Sequence, residues 1–473
     1  MTRLTGIKPF FYKLVVSYLV NVVFLKKNHL VNLLTLSTLS TLSTTSPRAR
    51  RFTPVNWVEH TNVYEVNIRQ YTPEGTFAAF TKHLPRLKEM GVDVLWFMPV
   101  TPISVEKRLG TLGSYYAASD YKNTNPEFGT LDDFDALVKE AHKMGFKVII
   151  DWVANHTGAD HAWTKSNPNF YKRDAQGNFY DNHGWTDVID LNYYDGGMRE
   201  AMIDAMSFWV KKFDIDGFRC DMAHLVPLDF WRDARLRLDA IKPLFYLAET
   251  EDAHYLDVFD CCYAWQWMHS TKSFIDGKLK LFELKDLLTK IEKDFPPDTS
   301  HLFFTANHDE NSWNGTEYEK YGQAAKTFAV FSVLWSGIPL TYSGQELPNQ
   351  KRLKFFEKDL IEWNDKPAML DFYKRLLNLR KNHPALVAGR SKKPEVMKTN
   401  VDEYVFGFVR RKNNEDVLVL LNFSPNHVFV QLPEGYVYGQ FRELFTDAEI
   451  EVIPGLSIEM QAWDYKVYTN HNK

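Results

Sequence analysis

The sequence predicts an α/β fold: a parallel (β/α)8 barrel of the TIM type, with a short insert after its third strand and an all-β sandwich at its C-terminal end. Three observations predict it. Eight short apolar runs recur between residues 63 and 342, most of them separated by stretches of helical period, which is the alternation of a parallel sheet wrapped by helices. After Val153 some 40 polar, aromatic, Gly- and Asn-rich residues interrupt that alternation, and so long a loop in a compact barrel is usually functional. Beyond Pro384 the helical period stops and short strands follow one another. The expected layout is a leader at 1–50, a barrel at 51–156 and 196–384, an inserted domain B at 157–195 and a β-sandwich at 385–473.

The leader comes first. Arg3, Lys8 and Lys13 precede an apolar run from Leu14 to Leu25, and a Leu-Ser-Thr repeat follows. The run is short for a membrane span. A charged start with such a run resembles a secretory signal, which places the protein in the periplasm or outside the cell; if the segment is not a signal, the protein is cytoplasmic. No lipid-accepting cysteine lies near it.

In the barrel, Val63–Asn67 is the first strand. Phe77, Phe80, Leu84, Leu87 and Met90 keep one helical face, and Gly91 stops it. Val92–Met98 is the second strand, apolar throughout as a strand buried on both faces must be. Thr130 caps a helix carrying Phe134, Leu137, Val138 and Ala141, Gly145 ends it, and Phe146–Val153 is the third strand. A helix over Met198–Phe213 leads to Asp216–Asp221. The remaining strands are Leu244–Ala248, Phe259–Tyr263, His301–Thr305 and Ile338–Tyr342. In the tail, Tyr404–Arg410 and Val417–Phe423 flank a polar turn, and Val428–Leu432, Gln440–Leu444 and Ile458–Tyr468 continue the series.

Composition bounds the partners. Hydrophobic residues make up 45% and charged residues 25%, enough for a sizeable core. A net charge of -4 does not favour nucleic acid or an anionic membrane. Aromatic residues make up 15%. That richness suits flat, part-apolar ligands such as sugar rings, although core volume accounts for most of them. Three cysteines, Cys220, Cys261 and Cys262, form no disulfide framework and no metal motif. The expected oligomeric state is a monomer.

In such a barrel the reacting groups sit at the C-terminal ends of the strands. The polar residues there are Asp151, Asn155 and His156 after the third strand, Arg219 and Asp221 after the fourth, Glu249 after the fifth, and His308 and Asp309 after the seventh. Arg219 and Asp221 share a strand face, and a guanidinium favours an ionised neighbour. Glu249 follows the apolar run Pro243–Ala248, a setting that keeps a carboxylic acid protonated. One protonated acid and one carboxylate are what glycoside hydrolysis requires. Trp185, Trp265, Trp267 and Trp313 are read as loop tryptophans able to stack on sugars.

These blocks, Asp151–His156, Asp216–Asp221, Leu247–Thr250 and Phe304–Glu310, appear in the order of the α-amylase family of retaining glycoside hydrolases, family 13. The chain resembles that family from about residue 60 to 470. The resemblance implies Asp221 as nucleophile, Glu249 as general acid/base and Asp309 as transition-state stabiliser. It implies Arg219 orienting Asp221, His156 and His308 binding the sugar at the cleaved position, and Tyr116, in Gly113–Asp120, stacking on it. His224 is a further candidate for sugar beyond the cleaved bond. The implied substrate is an α-1,4-linked glucan or maltooligosaccharide. The alternatives are an oligosaccharide α-glucosidase, a transglycosylase or an inactive binding subunit. No cofactor is required, but many members bind calcium, for which Asn155 and Asp190 are the candidate ligands. After the nucleophile this chain reads Met222-Ala223-His224-Leu225, where calcium-binding members carry Lys-His at the last two places, so the calcium site is expected to be weak or lost.

Overall fold

The structure, a computed structural model, describes residues 52–296, 299–388 and 393–470. The leader therefore lies outside the described residues. No helix among them is long and apolar enough to cross a membrane.

The eight apolar runs close into one parallel barrel. β1 (Val63–Val66), β2 (Val94–Phe97) and β3 (Lys147–Trp152) come first. An antiparallel hairpin of β4 (His156–Gly158) and β5 (Val188–Asp190) follows, then β6 (Gly217–Cys220), β7 (Phe245–Ala248), β8 (Cys261–Tyr263), β9 (Ser300–Phe303) and β10 (Ile338–Tyr342). Neighbours around the barrel run in chain order, and β10 pairs back to β1. Because strand side chains alternate, one parity of each strand fills the interior. Val63, Trp96, Ile149, Phe245, Leu247, Tyr263, Leu302 and Leu340 make that inner cluster, while Tyr64, Leu95, Ile150, Phe218 and Tyr246 belong to the layer under the helices. Gly217 is required where β6 crosses β7, since a Cβ there would stand 2.0 Å from the Phe245 carbonyl oxygen.

The helices follow their caps. Leu131–Lys143 starts on a capping box between Thr130 and Asp133. Gly196–Phe213 starts on Asp195, whose side chain accepts the Met198 N–H at 3.0 Å. The stretch read as one helix from Phe77 to Met90 is two, Phe77–Thr81 and Leu84–Met90. Pro85 is the reason: it lacks an N–H, and its ring excludes a continuing turn at Thr81.

The tail is antiparallel throughout. β11 (Glu395–Met397), β12 (Val405–Lys412), β13 (Glu415–Asn422), β14 (Val428–Gln431), β15 (Gly439–Glu443), β16 (Glu449–Val452), β17 (Ser457–Met460) and β18 (Tyr465–Thr469) form two sheets. One has the order β11-β12-β13-β18-β15-β16, and the other is the pair β14-β17. The strand expected over Ile458–Tyr468 is broken in two at Trp463, whose φ of 57° is left-handed. β12 and β13 are apolar on both faces because one face packs on β14-β17 and the other joins the barrel core. Phe406 and Phe408 lie against Trp335 there. Arg410, fully buried on β12, donates to the carbonyls of Leu334, Trp335 and Val387 at 3.2, 2.6 and 2.5 Å. It thereby caps the end of the helix Ala325–Leu334.

Candidate active site

The inward parity of the strands carries the polar groups past the apolar layers to the carboxyl end of the barrel. Register sets Asp151 of β3 beside Arg219 of β6. The guanidinium then serves three carboxylates. Its Nη1 donates to Asp151 Oδ1 and Asp221 Oδ1, both at 2.9 Å. Its Nη2 makes an ion pair with Glu249 Oε2 at 2.6 Å, off-axis for a hydrogen bond. Its Nε donates to Tyr263 Oη at 3.1 Å. Glu249 Oε2 also accepts the Met222 N–H at 3.0 Å. Asp151 Oδ2 accepts from Trp96 Nε1 and Tyr116 Oη at 3.2 and 3.1 Å.

One cation shared by three buried acids cannot hold all of them ionised. Burial pushes Glu249 up to about 7, against the pull of Arg219, with Asp221 and Asp309 adding to the rise. The Asp221 expectation needs correction. Arg219 does pull its carboxyl down, but burial outweighs it and Asp151 repels, so Asp221 rises to about 6. Glu249 remains the harder of the two to ionise.

The second half of the site hangs on His308. Its Nδ1 meets Glu65 Oε1 on β1, and its Nε2 lies 2.8 Å from Tyr116 Oη and 3.3 Å from Asp309 Oδ2. The Tyr116 ring stacks on His308, with centroids 5.4 Å apart, and on Phe355. Burial opposes ionisation of Asp309, but His308, joined by Arg219 and a hydrogen bond from Trp313, holds the carboxyl below its ordinary value. Asp309 is 39% exposed at the mouth, open to a ligand.

His156 stands on the other wall. Asn155 Nδ2 donates to its Nδ1 at 3.3 Å, and burial lowers it to about 4, so its ring is neutral with Nε2 carrying the proton. The Trp185 ring lies edge-on at 5.1 Å. Asp181 Oδ2 fixes that loop by accepting the N–H groups of His183, Gly184 and Trp185. The structure thus brings Asp221, Glu249, Arg219, Tyr116, His308 and Asp309 into one network and sets His156 nearby. It leaves His224 exposed on the turn Ala223–Leu225, outside that network. Two tryptophans read as loop residues lie on the helix Trp265–Ile275, and Trp267 is core, stacked at 4.2 Å on Phe331. Trp313 stays half exposed, resting on Phe355. Glu65, Trp96, Tyr263 and Phe355 were not anticipated. For the first three the signal was present: each is an inward position of its strand.

A family model for the α-amylase catalytic domain matches residues 50–174 and 169–242, and one for the maltogenic amylase C-terminal domain matches 395–467. The chain belongs to the α-amylase family. It is similar to α-amylase MalA of Haloarcula japonica, 26% identical over 84% of this chain and 61% of the relative. It is similar also to a maltogenic α-amylase of Bacillus acidopullulyticus, 23% identical over 83% and 70%. The chain thus spans about three fifths of the Haloarcula protein and seven tenths of the Bacillus one. Among solved structures it resembles a maltogenic α-amylase from Thermotoga neapolitana, with a TM-score of 0.81 and 29% identity over 88% of this chain and 99% of that one. An α-amylase from Lactobacillus plantarum gives a TM-score of 0.79 at 29% identity over 87% and 99%.

The calcium of many α-amylase-family members is tested by the donors present. Asp190 is fully buried, and the ammonium of Lys172 lies 2.9 Å from its Oδ2. Asn155 turns its amide nitrogen to His156. Asp181 and His183 reach within 4.8 Å of Asp190, but the carboxylate they would share already holds a cation. A hard dication wants six or more oxygens. This amylase-family chain offers a lysine in their midst, and the residues do not fit calcium.

Proposed function

We propose that the protein hydrolyses α-1,4-glucosidic bonds of starch-like glucans or maltooligosaccharides with retention of configuration. The observation that carries this is the single Arg219 guanidinium held between Asp221 and Glu249 at the barrel mouth, 2.9 and 2.6 Å from their oxygens. It keeps two carboxyl groups side by side, as a retaining pair at roughly 5–5.5 Å requires. Glu249, the harder to ionise, protonates the departing glycosidic oxygen. Asp221 attacks the anomeric carbon and carries the glycosyl unit. Glu249, now a carboxylate, takes a proton from water, which attacks that carbon and releases Asp221. Asp309 and His308 hold ring hydroxyls of the bound sugar, His156 donates to another through Nε2, and Tyr116 stacks on the ring.

The test is product analysis on maltoheptaose, with the anomer of the first product read by proton NMR, beside the variant Asp221→Asn. The reading predicts mixed shorter products of α configuration and a variant reduced by on the order of 10^4 to 10^6 in rate. A β-anomer, or a fully active variant, overturns it. Panose separates the second reading. Relatives of this chain include proteins named oligo-1,6-glucosidase and cyclomaltodextrin glucanotransferase. Attack on the α-1,6 bond favours the former activity, and products longer than the starting sugar favour transfer.

A further inference from the structure

We propose that Glu65 is a positioning residue that keeps His308 doubly protonated, an imidazolium throughout the working pH range, so that Asp309 stays ionised beside it. The proposal rests on the reading above of His308 and Asp309 as sugar-binding groups.

The hydrogen-bond directions lead to it. A neutral imidazole has one N–H and one bare lone pair. At His308 both ring nitrogens face oxygens. Nδ1 meets Glu65 Oε1, and Nε2 meets Asp309 Oδ2 and Tyr116 Oη. Tyr116 has one proton. Given to Asp151 Oδ2 at 3.1 Å, it leaves the oxygen accepting from Nε2 at 2.8 Å; given to Nε2, it still leaves that nitrogen's lone pair facing the Asp309 carboxylate at 3.3 Å. Either neutral tautomer would therefore aim a lone pair at an acceptor. The imidazolium satisfies every contact.

Glu65 has reason to be charged only there. It is fully buried inside the barrel, and its Oε2 has no partner. The groups around His308 are Glu65 from β1, Trp96 from β2, Asp151 from β3, Arg219 from β6, Tyr116 from the loop after β2, Phe355 from the loop after β10 and its own neighbour Asp309. The one cation among them, Arg219, is committed to Asp151, Asp221 and Glu249. Burial works against a charged His308, but Asp309 and Glu65 together raise it well above the ordinary histidine value. Burial raises the Glu65 carboxyl above its ordinary value, and the His308 imidazolium is the main group pulling it back. The pair therefore ionises together and the charges alternate, Glu65 negative, His308 positive, Asp309 negative. Asp309 is kept as a hydroxyl acceptor across the range in which Asp221 and Glu249 titrate.

The test uses protein labelled with 15N-histidine, with His308 signals assigned by their loss in His308→Gln. In the wild type both ring nitrogens should show protonated shifts from pH 5 to 8.5. A bare nitrogen at neutral pH overturns the proposal without any variant. Glu65→Gln preserves volume and an acceptor for Nδ1 but removes the charge. In it His308 should titrate within that range, and kcat/KM on maltoheptaose should fall about 10- to 100-fold at pH 8 but much less at pH 5. A His308 that stays doubly protonated in Glu65→Gln, or an equal loss at both pH values, refutes the positioning role. Failure of the hydrolytic reading would instead appear as a wild type inert on maltoheptaose with its His308 spectrum unchanged.

Discussion

Replacing Lys172 by Met removes the cation from Asp190 and leaves the rest of the insert in place. Asp190 is fully buried, its Oδ2 is held by Lys172 at 2.9 Å, and its Oδ1 has no partner. The nearby Asp181 carboxylate adds repulsion once the ammonium is gone. Breaking a fully buried pair by deleting one member costs roughly 3–5 kcal/mol, and an exposed pair is worth about 0.2–1 kcal/mol. Lys172 is 34% exposed, which places the loss between these limits, at about 2 kcal/mol. Globular chains gain about 2.1 cal/mol/K per residue on unfolding, so for a chain of this size the melting temperature drops by only about 2 °C. Local opening is the more sensitive readout, since about 2 kcal/mol multiplies the open population of the β4-β5 hairpin roughly 30-fold. Hydrogen exchange at Val188–Asp190, with and without a chelator, measures it. The wild type should exchange at one rate under both conditions, and Lys172→Met about 30-fold faster. Unchanged exchange in the variant, or a wild type loosened by the chelator, would sink the idea that the lysine stands where a metal would be needed.

The pH profile of kcat/KM should be a narrow bell. Activity falls below about 6, where Asp221 takes up its proton, and falls above about 7, where Glu249 loses its own; a plateau extending past pH 9 would remove Glu249 as the acid. Gly217→Ala drives a methyl into the Phe245 carbonyl and should cost about 1–3 kcal/mol or more in a thermal melt. Trp267→Ala empties a core position and should cost about 3–5 kcal/mol. Trp313→Ala should leave stability within about 0.5 kcal/mol and raise KM for maltoheptaose, and an unchanged KM would deny Trp313 a place in substrate binding.

The barrel was legible because its strands are buried on both faces and read as unbroken apolar runs. Arg219 and Asp221 were placed together by strand alternation alone. What escaped were effects of many bodies. That Arg219 serves Asp151 and Glu249 as well as Asp221 depends on register between strands 68 and 30 residues away in the chain, so the direction of the Asp221 shift could not be read from one dipeptide spacing. Lys172 on Asp190 is a contact across a loop without periodicity. The break at Pro85 was readable and missed, because the apolar spacing on either side of it stays helical. Glu65 was passed over although its parity with Val63 points it inward; a charged residue in an apolar strand was itself the signal.

Arg410 carries a consequence for how the chain is made. The carbonyls of Leu334 and Trp335, at the end of the helix Ala325–Leu334, and of Val387, in the segment that leads out of the barrel, take their hydrogen bonds from a side chain of β12. A growing polypeptide has therefore delivered all eight barrel strands before it delivers the group that finishes them. Until residue 410 and the strands around it emerge, the rings of Phe331 and Trp335 also lack the cover that Phe406 and Phe408 provide. The nascent barrel waits, open at that flank, for the C-terminal sheets. A gene cut between the two would yield a polypeptide prone to stick to itself rather than a smaller enzyme.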